Sequence, residues 1–188
     1  MRKPQEIAID RTLLIFLLHS IQQQEFEMVS DVKLQQMVFL CELQMLGKGL
    51  RGFHYDFMRY PYGAFSKDLD NDLLALRRKE RLENFDVTPL AEPCVPLLEG
   101  VEKDSESNEQ VFEILRSVIN IYGPQDLGAI TKSVEDIELS TVDQPDQKLA
   151  IRDISFHAIV LVPARIEVTG ELTIPPPTLG KVKTALGM

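Results

Sequence analysis

The sequence predicts a predominantly helical α+β fold, in which a winged-helix-like helical core carries a small β appendage. Two observations lead to this prediction. Helix-like segments, an aromatic turn and a proline-punctuated strand follow one another in the order of a winged helix-turn-helix, and strand-like alternation comes late in the chain. Hydrophobic residues make up 44% and charged residues 26% of the 188 positions, which suffices for one buried core with a smaller appendage.

Two helices are predicted near the start of the chain. Residues 5–23 carry apolar side chains on more than one face, so this helix is expected to be central and buried. A polar break follows, and either Ser30 or Asp31 can cap a second helix over 32–46. Gly47 then ends that helix.

A short extended segment, 50–58, leads into the turn Tyr60-Pro61-Tyr62-Gly63. Ser66 is expected to cap a third helix over 67–80, which has acidic residues in its first turn and basic residues in its last. Three prolines in the segment 84–100 argue against a central strand or a long helix. The sequence therefore predicts a short edge strand and an irregular connection there.

The second half is predicted to begin with two more helices. They cover about 109–122 and 125–137, and Gly123-Pro124 separates them. Residues 140–148 are predicted to form a loop. Two short strands broken at Pro163 and Gly170 are expected within 155–174, followed by a polyproline spacer at Pro175–Pro177 and a last short segment to Leu186.

The most solvated stretch, 102–109, is the best candidate for a boundary between parts of the chain. The sequence therefore divides into three segments. They are the winged-helix-like core (1–101), additional helices packed on it (102–149), and short strands with a proline-rich tail (150–188).

The formal net charge of −9 argues against general nucleic-acid binding, which needs a basic face. The charge is uneven, however. Residues 47–83 carry eight Lys or Arg against six Asp or Glu, so a local basic patch can lie on an acidic body.

The longest apolar run, 13–18, is far shorter than a bilayer-spanning helix requires. No signal-peptide pattern follows the amino terminus. Cys41 and Cys94 indicate neither a disulfide framework nor a zinc site. We therefore expect a cytoplasmic protein without a membrane partner.

Catalysis, metal binding and cofactor binding have little support in the sequence. The three histidines lack the spacing of a metal site. His54 and Asp56 are expected to form a hydrogen-bonded pair rather than a catalytic dyad, because no nucleophile lies nearby. Cys41 is predicted to lie in the core, and the segment 47–52 lacks the ending of a phosphate-binding loop. We expect no enzyme activity.

Two segments resemble the Panacea or SocA-like domain family and its YwgA-type relatives. They are KLQQMVFLCELQML (33–46) and FMRYPYGAFSKDLDNDLLAL (57–76). Lys33-Leu34-Gln35 and Tyr62-Gly63 match the family's motifs, whereas Ala64 stands where the family usually has proline. A third similarity is VINIYGPQDL (118–127), so the resemblance covers roughly residues 5–137.

This resemblance implies a compact, mostly helical domain without known catalysis. Many members of the family are antitoxins that bind and neutralise a partner toxin, and some are adaptors that deliver a partner to proteolysis. The resemblance therefore implies a protein partner, either a toxin or a client protein. It also makes Lys33 a candidate surface residue.

A rigid surface around Arg59, Tyr60 and Tyr62, flanked by Arg51 and Lys67, is the predicted partner-binding site. Aromatic residues and arginine dominate the energetics of protein interfaces. The alternative is an interior turn, in which the tyrosines pack on the first two helices and their hydroxyls bond to the backbone. Buried turns often carry tyrosine, and both descriptions can hold at once.

The second functional hypothesis is a winged-helix DNA-binding transcriptional regulator, suggested by the basic cluster at 77–81. A recognition helix usually contacts bases through its amino-terminal half. In the third helix that half carries Asp68, Asp70 and Asp72, which are expected to face solvent and to repel phosphates. The helix dipole explains the basic end better. The sequence leaves the oligomeric state open.

Overall fold

The computed structural model describes all residues from Met1 to Met188 and contains seven α-helices. It confirms the α+β, mostly helical class. None of the helices combines the length and the apolar character needed to cross a bilayer. The helices are α1 (Pro4–Gln22), α2 (Asp31–Gly47), α3 (Lys67–Arg78), α4 (Cys94–Glu102), α5 (Glu106–Tyr122), α6 (Leu127–Glu135) and α7 (Pro176–Ala185).

Nine short strands form four small sheets. A three-stranded antiparallel sheet has the order β3-β2-β8, two antiparallel hairpins are β4-β5 and β6-β7, and β1 pairs with β9 in parallel. The strands are β1 (Leu50–Arg51), β2 (Phe57–Tyr60), β3 (Gly63–Phe65), β4 (Leu82–Glu83), β5 (Asp86–Val87), β6 (Glu138–Thr141), β7 (Gln144–Ala150), β8 (Ile159–Leu161) and β9 (Gly170–Glu171).

Helix α1 lies at the centre of the molecule, as its apolar residues on several faces predict. Phe16 packs edge-to-face against Phe112 of α5 with ring centroids 4.8 Å apart. Helix α2 packs on α5 and α6. Its amino terminus is capped by Ser30, whose hydroxyl oxygen accepts a hydrogen bond from the backbone amide of Lys33 at 3.3 Å. Ser30 rather than Asp31 is therefore the capping residue.

Helix α3 begins where the sequence predicts. The Ser66 hydroxyl accepts a hydrogen bond from the Leu69 amide at 3.4 Å, and the residues Leu69, Leu73 and Leu76 are buried. The β4-β5 hairpin follows directly. The first part of the chain thus contains two helices, an aromatic turn, a third helix and a hairpin, in that order.

The last forty residues pack into the same interior as the rest of the chain. Strand β8 pairs with β2, β9 pairs with β1, and α7 lies against α4 and α1. Leu172, Val182 and Leu186 belong to one cluster of 48 buried hydrophobic residues. The three segments that the sequence distinguishes therefore share a continuous core.

Prolines account for two differences from the sequence prediction. Helix α4 replaces the irregular connection, because Pro96 stands in its first turn, where backbone amides have no intrahelical acceptor. Pro176 and Pro177 likewise begin α7 instead of forming a polyproline spacer.

The predicted loop at 140–148 is also wrong, because this segment belongs to the β6-β7 hairpin. Its side chains are nearly all exposed, so no hydrophobic alternation marks it as a strand pair. The polar stretch 102–109 contains the start of α5. Within it, the buried Asn108 amide donates hydrogen bonds to the carbonyls of Val101 at 2.7 Å and Thr173 at 3.0 Å.

A buried group of charged side chains joins α1, α3 and the amino-terminal residues. Arg2 contacts Asp10 at 2.6 Å and Asp72 at 2.8 Å, and Arg11 contacts Asp72 at 2.8 Å. The Tyr55 hydroxyl donates to Asp72 at 3.0 Å. Asp72 is only 2% exposed, so the prediction that it faces solvent is wrong. Its charge is compensated by two arginines rather than by water.

His54 pairs with Asp10 instead of Asp56. Its Nδ1 lies 2.8 Å from Asp10 Oδ1, and the same carboxylate oxygen accepts the His54 backbone amide at 2.9 Å. The prediction of a pair with Asp56 assumed regular strand geometry. The segment between β1 and β2 is not a strand, and Asp56 is exposed while His54 is half-buried.

Glu42 lies next to this group and is almost fully buried. One carboxyl oxygen accepts the Tyr55 backbone amide at 3.1 Å, and the other, Oε2, has no hydrogen-bond partner. Burial and the nearby negative charge of Asp10 raise the pKa of Glu42 well above its usual range. Burial thus favours the neutral form of this carboxyl in the folded protein.

We expect Asp72→Asn to lower the free energy of unfolding by about 3 kcal/mol, because it removes the buried carboxylate that pairs with Arg2 and Arg11. Asp70→Asn on the same helix is the matched control, since Asp70 takes part in no ion pair. It should change stability by about 0.5 kcal/mol or less. Urea unfolding followed by circular dichroism measures both values. Equal stabilities of the two variants would contradict a structural role for Asp72.

The raised pKa of Glu42 also makes a prediction about pH. A raised pKa in the folded state means that this group stabilises the fold fully below the ordinary glutamate pKa of about 4.3 and loses that contribution as pH rises. Relative to Glu42→Gln, which cannot titrate, the natural protein should lose up to about 1.4 kcal/mol per pH unit above that value. Urea unfolding of both proteins at pH 5, 6 and 7 tests this. Parallel pH profiles would show that Glu42 is ionised in the fold.

Candidate functional site at the aromatic turn

The aromatic turn is a tight hairpin between β2 and β3. Tyr60 pairs with Gly63 across it, and Pro61 and Tyr62 form the two-residue connection. Gly63 has a φ of +105°, a conformation that side chains with a Cβ rarely adopt. Pro61 fixes its own φ, so the backbone of the turn has little freedom.

Two consecutive glutamines of α2 hold β3 in place. The Gln36 amide donates to the Ala64 carbonyl and accepts from the Ala64 amide, both at 3.1 Å. The Gln35 amide does the same with Ser66, at 3.0 and 2.9 Å. All four bonds are buried or nearly so. The side chains therefore bond to the outer edge of β3 as a neighbouring strand would.

Gly63 is needed where the turn approaches α2. A Cβ at this position would lie 2.3 Å from Gln36 Oε1, closer than two such atoms can come. A larger residue would displace the amide that binds Ala64. Glycine is therefore required at position 63 for two reasons, the positive φ and the lack of space for a Cβ.

Both tyrosines reach solvent. Tyr60 is 37% and Tyr62 58% exposed, and neither hydroxyl has a hydrogen-bond partner in the protein. Tyr60 stacks on Phe65 with ring centroids 4.8 Å apart and meets His157 edge-on. Of the two alternatives that the sequence leaves open, the interior turn is therefore wrong for these rings.

Arg59 lies under the turn and is only 4% exposed. Its guanidinium donates to the carbonyls of Tyr60 and Gly63, forms an ion pair with Glu135 at 2.9 Å, and faces the Phe156 ring at 5.2 Å. The expectation that Arg59 forms part of an exposed surface is wrong. Arg59 instead stabilises the turn from the protein interior, because its guanidinium donates hydrogen bonds to two carbonyls of the turn.

Lys33 is also buried, contrary to its place among the candidate surface residues. Its ammonium group donates to the Gly123 carbonyl at the carboxyl end of α5, and it lies near the Phe26 ring. Burial lowers the pKa of Lys33, while the charge of Asp126 raises it. A helix carboxyl terminus is a favourable partner for a cation, which explains a lysine in the first turn of α2.

Arg51 is bonded within the fold, whereas Lys67 is free at the surface. Arg51 bonds to Glu171 at 2.6 Å and to the carbonyls of Pro163 and Ile166, so it attaches the tail to β1. Lys67 is exposed at the start of α3 and has no side-chain partner. Of the six candidate residues, the structure brings Tyr60, Tyr62 and Lys67 to the surface.

A groove of about 190 Å³ separates the turn from the beginning of α2. Its lining is almost entirely apolar and includes Val32, Tyr60 and Tyr62, and Asp31 and Asp70 border it. The sequence prediction missed this groove. One signal could have indicated it. Asp31 and Gln35 are four residues apart, so they lie on the same face of α2, and in the structure this face is toward the turn.

Three cations of the basic cluster at 77–81 bond to other parts of the chain. Arg77 donates to the Asn84 carbonyl and pairs with Asp31, each at 2.9 Å. Arg81 and Lys79 donate to carbonyls at the end of α7, those of Ala185 and Gly187. Arg77, Lys79 and Arg81 are thus bonded to carbonyls and a carboxylate of the same chain, whereas Arg78 is exposed and forms no such bond.

The structure brings together no group of three or more His, Cys, Asp or Glu side chains that could hold a metal ion. Cys41 and Cys94 are buried and unpaired, and Cys41 lies in the core as predicted. Burial raises the pKa of the Cys94 thiol to about 11, which keeps it protonated near neutral pH. Neither thiol has the exposure of a catalytic nucleophile.

No protein-family model, no curated protein and no solved structure matches this chain. The resemblance to the Panacea and SocA-like family therefore stays a prediction from its motifs. Of the motif residues, Gln35 bonds α2 to Ser66 just after β3, and Gly63 permits the close approach of the turn to α2. The function has to be inferred from this geometry.

We expect Gly63→Ala to destabilise the protein by about 3 kcal/mol, through a strained φ and the loss of the Gln36 bonds to β3. Gly100→Ala is the matched control, because Gly100 lies in α4 with no atom within 4 Å of the added methyl group. That change should stabilise the helix by about 0.5–1 kcal/mol. Urea unfolding measures both. Near-equal stabilities would mean that the turn tolerates a Cβ and is not held as described.

Proposed function

We propose that this chain is a protein-binding module of the antitoxin or adaptor type, which neutralises or delivers a partner protein by covering part of its surface. The observation that carries this proposal is the pair of exposed tyrosines, Tyr60 and Tyr62, on a turn whose backbone is fixed from behind. Tyrosine is enriched at the energetic centres of protein interfaces.

Rigidity supports the proposal. Arg59 binds the carbonyls of the turn from below, and Gln36 fixes β3 to α2. A surface that is already ordered loses little conformational entropy when a partner binds. The turn therefore meets the requirement for a preorganised docking element.

Exposed apolar residues continue beside the turn. Phe156, which covers Arg59, is 57% exposed, and Ile159 at the start of β8 is 66% exposed. Met58 pairs with Ile159, so β8 extends the same sheet. Contiguous exposed apolar groups on a protein surface commonly mark an interaction site.

The motif resemblance supports the same function, because antitoxins of that family bind their partner toxins directly. A DNA-binding regulator has less support. Arg77, Lys79 and Arg81 donate hydrogen bonds to backbone carbonyls of the same chain. Asp70 lies in the first half of α3. A helix so arranged offers the major groove a carboxylate where phosphates and bases would need donors.

The proposal predicts a dedicated partner that depends on Tyr62. Tagged protein is expressed in its native host, the lysate is treated with nuclease, and the co-purifying proteins are identified at low and high salt. We expect one stoichiometric protein to survive both treatments. Tyr62→Ala should reduce its recovery about tenfold or more, since truncating a central aromatic residue costs about 2 kcal/mol, while the melting temperature stays unchanged.

Leu90→Ala is the matched control, because Leu90 is 51% exposed beside α4 and α7 rather than at the turn. It should leave recovery of the partner unaltered. DNA fragments that co-purify only without nuclease, and no protein, would favour the regulator instead. Equal recovery of the partner with Tyr62→Ala and with the natural protein would show that the turn is not part of the interface.

A further inference from the structure

We propose that the groove between α2 and the aromatic turn binds a basic side chain, arginine or lysine, presented by the partner protein. This inference rests on the proposed function and names the partner's chemistry. It follows from the walls of the groove, its charge and its size.

The walls suit the aliphatic stem of a long cationic side chain. Tyr60 and Tyr62 form one side and Val32 of α2 belongs to the other, while Phe65 lies against Tyr60 with an angle of 27° between the rings. Long basic side chains pack their methylene groups on such surfaces and keep the charged end near water. A cation over an aromatic face is stabilised further by the ring's quadrupole.

The charge at the border of the groove is negative and only partly compensated. Asp31 and Asp70 line it, and no lysine or arginine does. Arg77 occupies one oxygen of Asp31 at 2.9 Å. Asp70 takes part in no ion pair, although its neighbours Asp68 and Asp72 both pair with Arg2. An incoming guanidinium or ammonium group would therefore supply the missing counter-charge.

The remaining polar groups do not favour another ligand class. Gln35 and Gln36 line the groove, but their side-chain amides already form hydrogen bonds with the backbone of Ser66 and Ala64. The helix amino termini near the groove are capped by Ser30 and Ser66. An anion would meet two carboxylates, of which only Asp31 has a cationic partner, Arg77, so it is disfavoured.

The volume limits the occupant to a single side chain. Pockets for drug-sized ligands measure about 300–1,000 Å³, whereas this groove measures about 190 Å³. One extended arginine or lysine fits the description, with the rest of the partner lying on Tyr62 and the neighbouring surface. The groove would then decide which segment of the partner docks at the turn.

Three capped pentapeptides test this with purified full-length protein. They read Gly-Leu-X-Leu-Gly, with X arginine, its uncharged isostere citrulline, or glutamate. Binding is measured by titration in two-dimensional amide NMR spectra. We expect the arginine peptide to shift the resonances of Val32, Tyr62 and Asp70, with affinity about fivefold higher than that of the citrulline peptide and no shift from the glutamate peptide.

Asp70→Asn should reduce the affinity for the arginine peptide to that of the citrulline peptide. Asp143→Asn, at the exposed end of the β6-β7 hairpin, is the matched control and should leave it unchanged. Equal affinities for arginine and citrulline would show an apolar groove, and preference for glutamate would show an anion site. Either result, an absence of shifts, or an unaffected Asp70→Asn variant would overturn the inference.

Failure of this inference can be told apart from failure of the proposed function. If a partner is captured through Tyr62 but the arginine peptide does not bind selectively, the docking surface stands and the basic side chain is wrong. If the peptide binds selectively but no protein is captured, the groove stands as a site for a cation and the antitoxin or adaptor function falls.

Discussion

Four hydrogen bonds determine the position of the aromatic turn, and they join the side-chain amides of Gln35 and Gln36 to the backbone of Ser66, directly after β3, and of Ala64 in β3. They join the first half of α2 to the strand that carries the turn, so the two walls of the groove belong to one unit. Gly63 permits the close approach that these bonds require. The exposed tyrosines, the groove and its carboxylates keep a fixed relation to each other only while this attachment holds.

A second, ionic attachment positions α3. Asp72 receives Arg2 and Arg11 in the interior, and Asp10 joins His54 to the same network. A buried ion pair adds little net stability, because desolvation offsets most of the attraction, but losing one member is costly. Removing Asp72 from this network is therefore expected to cost more stability than the intact network adds. The arrangement of α1 and α3 leaves Asp70 at the groove while Asp72 points inward.

The sequence predicted the elements whose signals are local. Helices α1, α2, α3 and α5 show apolar periodicity, and Ser30 and Ser66 are recognisable caps. Helices α4 and α7 were missed because prolines in a first turn look like breakers, and the β6-β7 hairpin has no buried face. Among the site residues, the sequence places the tyrosines in a turn but leaves their exposure open, and it does not indicate the positions of Lys33 and Arg59. Their partners, Gly123 and Glu135, lie 90 and 76 residues away.

The glutamine attachment has one more consequence. The outer edge of a sheet normally presents unpaired amides and carbonyls, and a flat edge beside exposed aromatic rings is a typical starting point for intermolecular strand pairing. At β3 the groups of Ala64 and Ser66 are already bonded to side chains of α2. Tyr60 and Tyr62 are thus exposed at the surface while the neighbouring strand edge is closed to pairing with another strand.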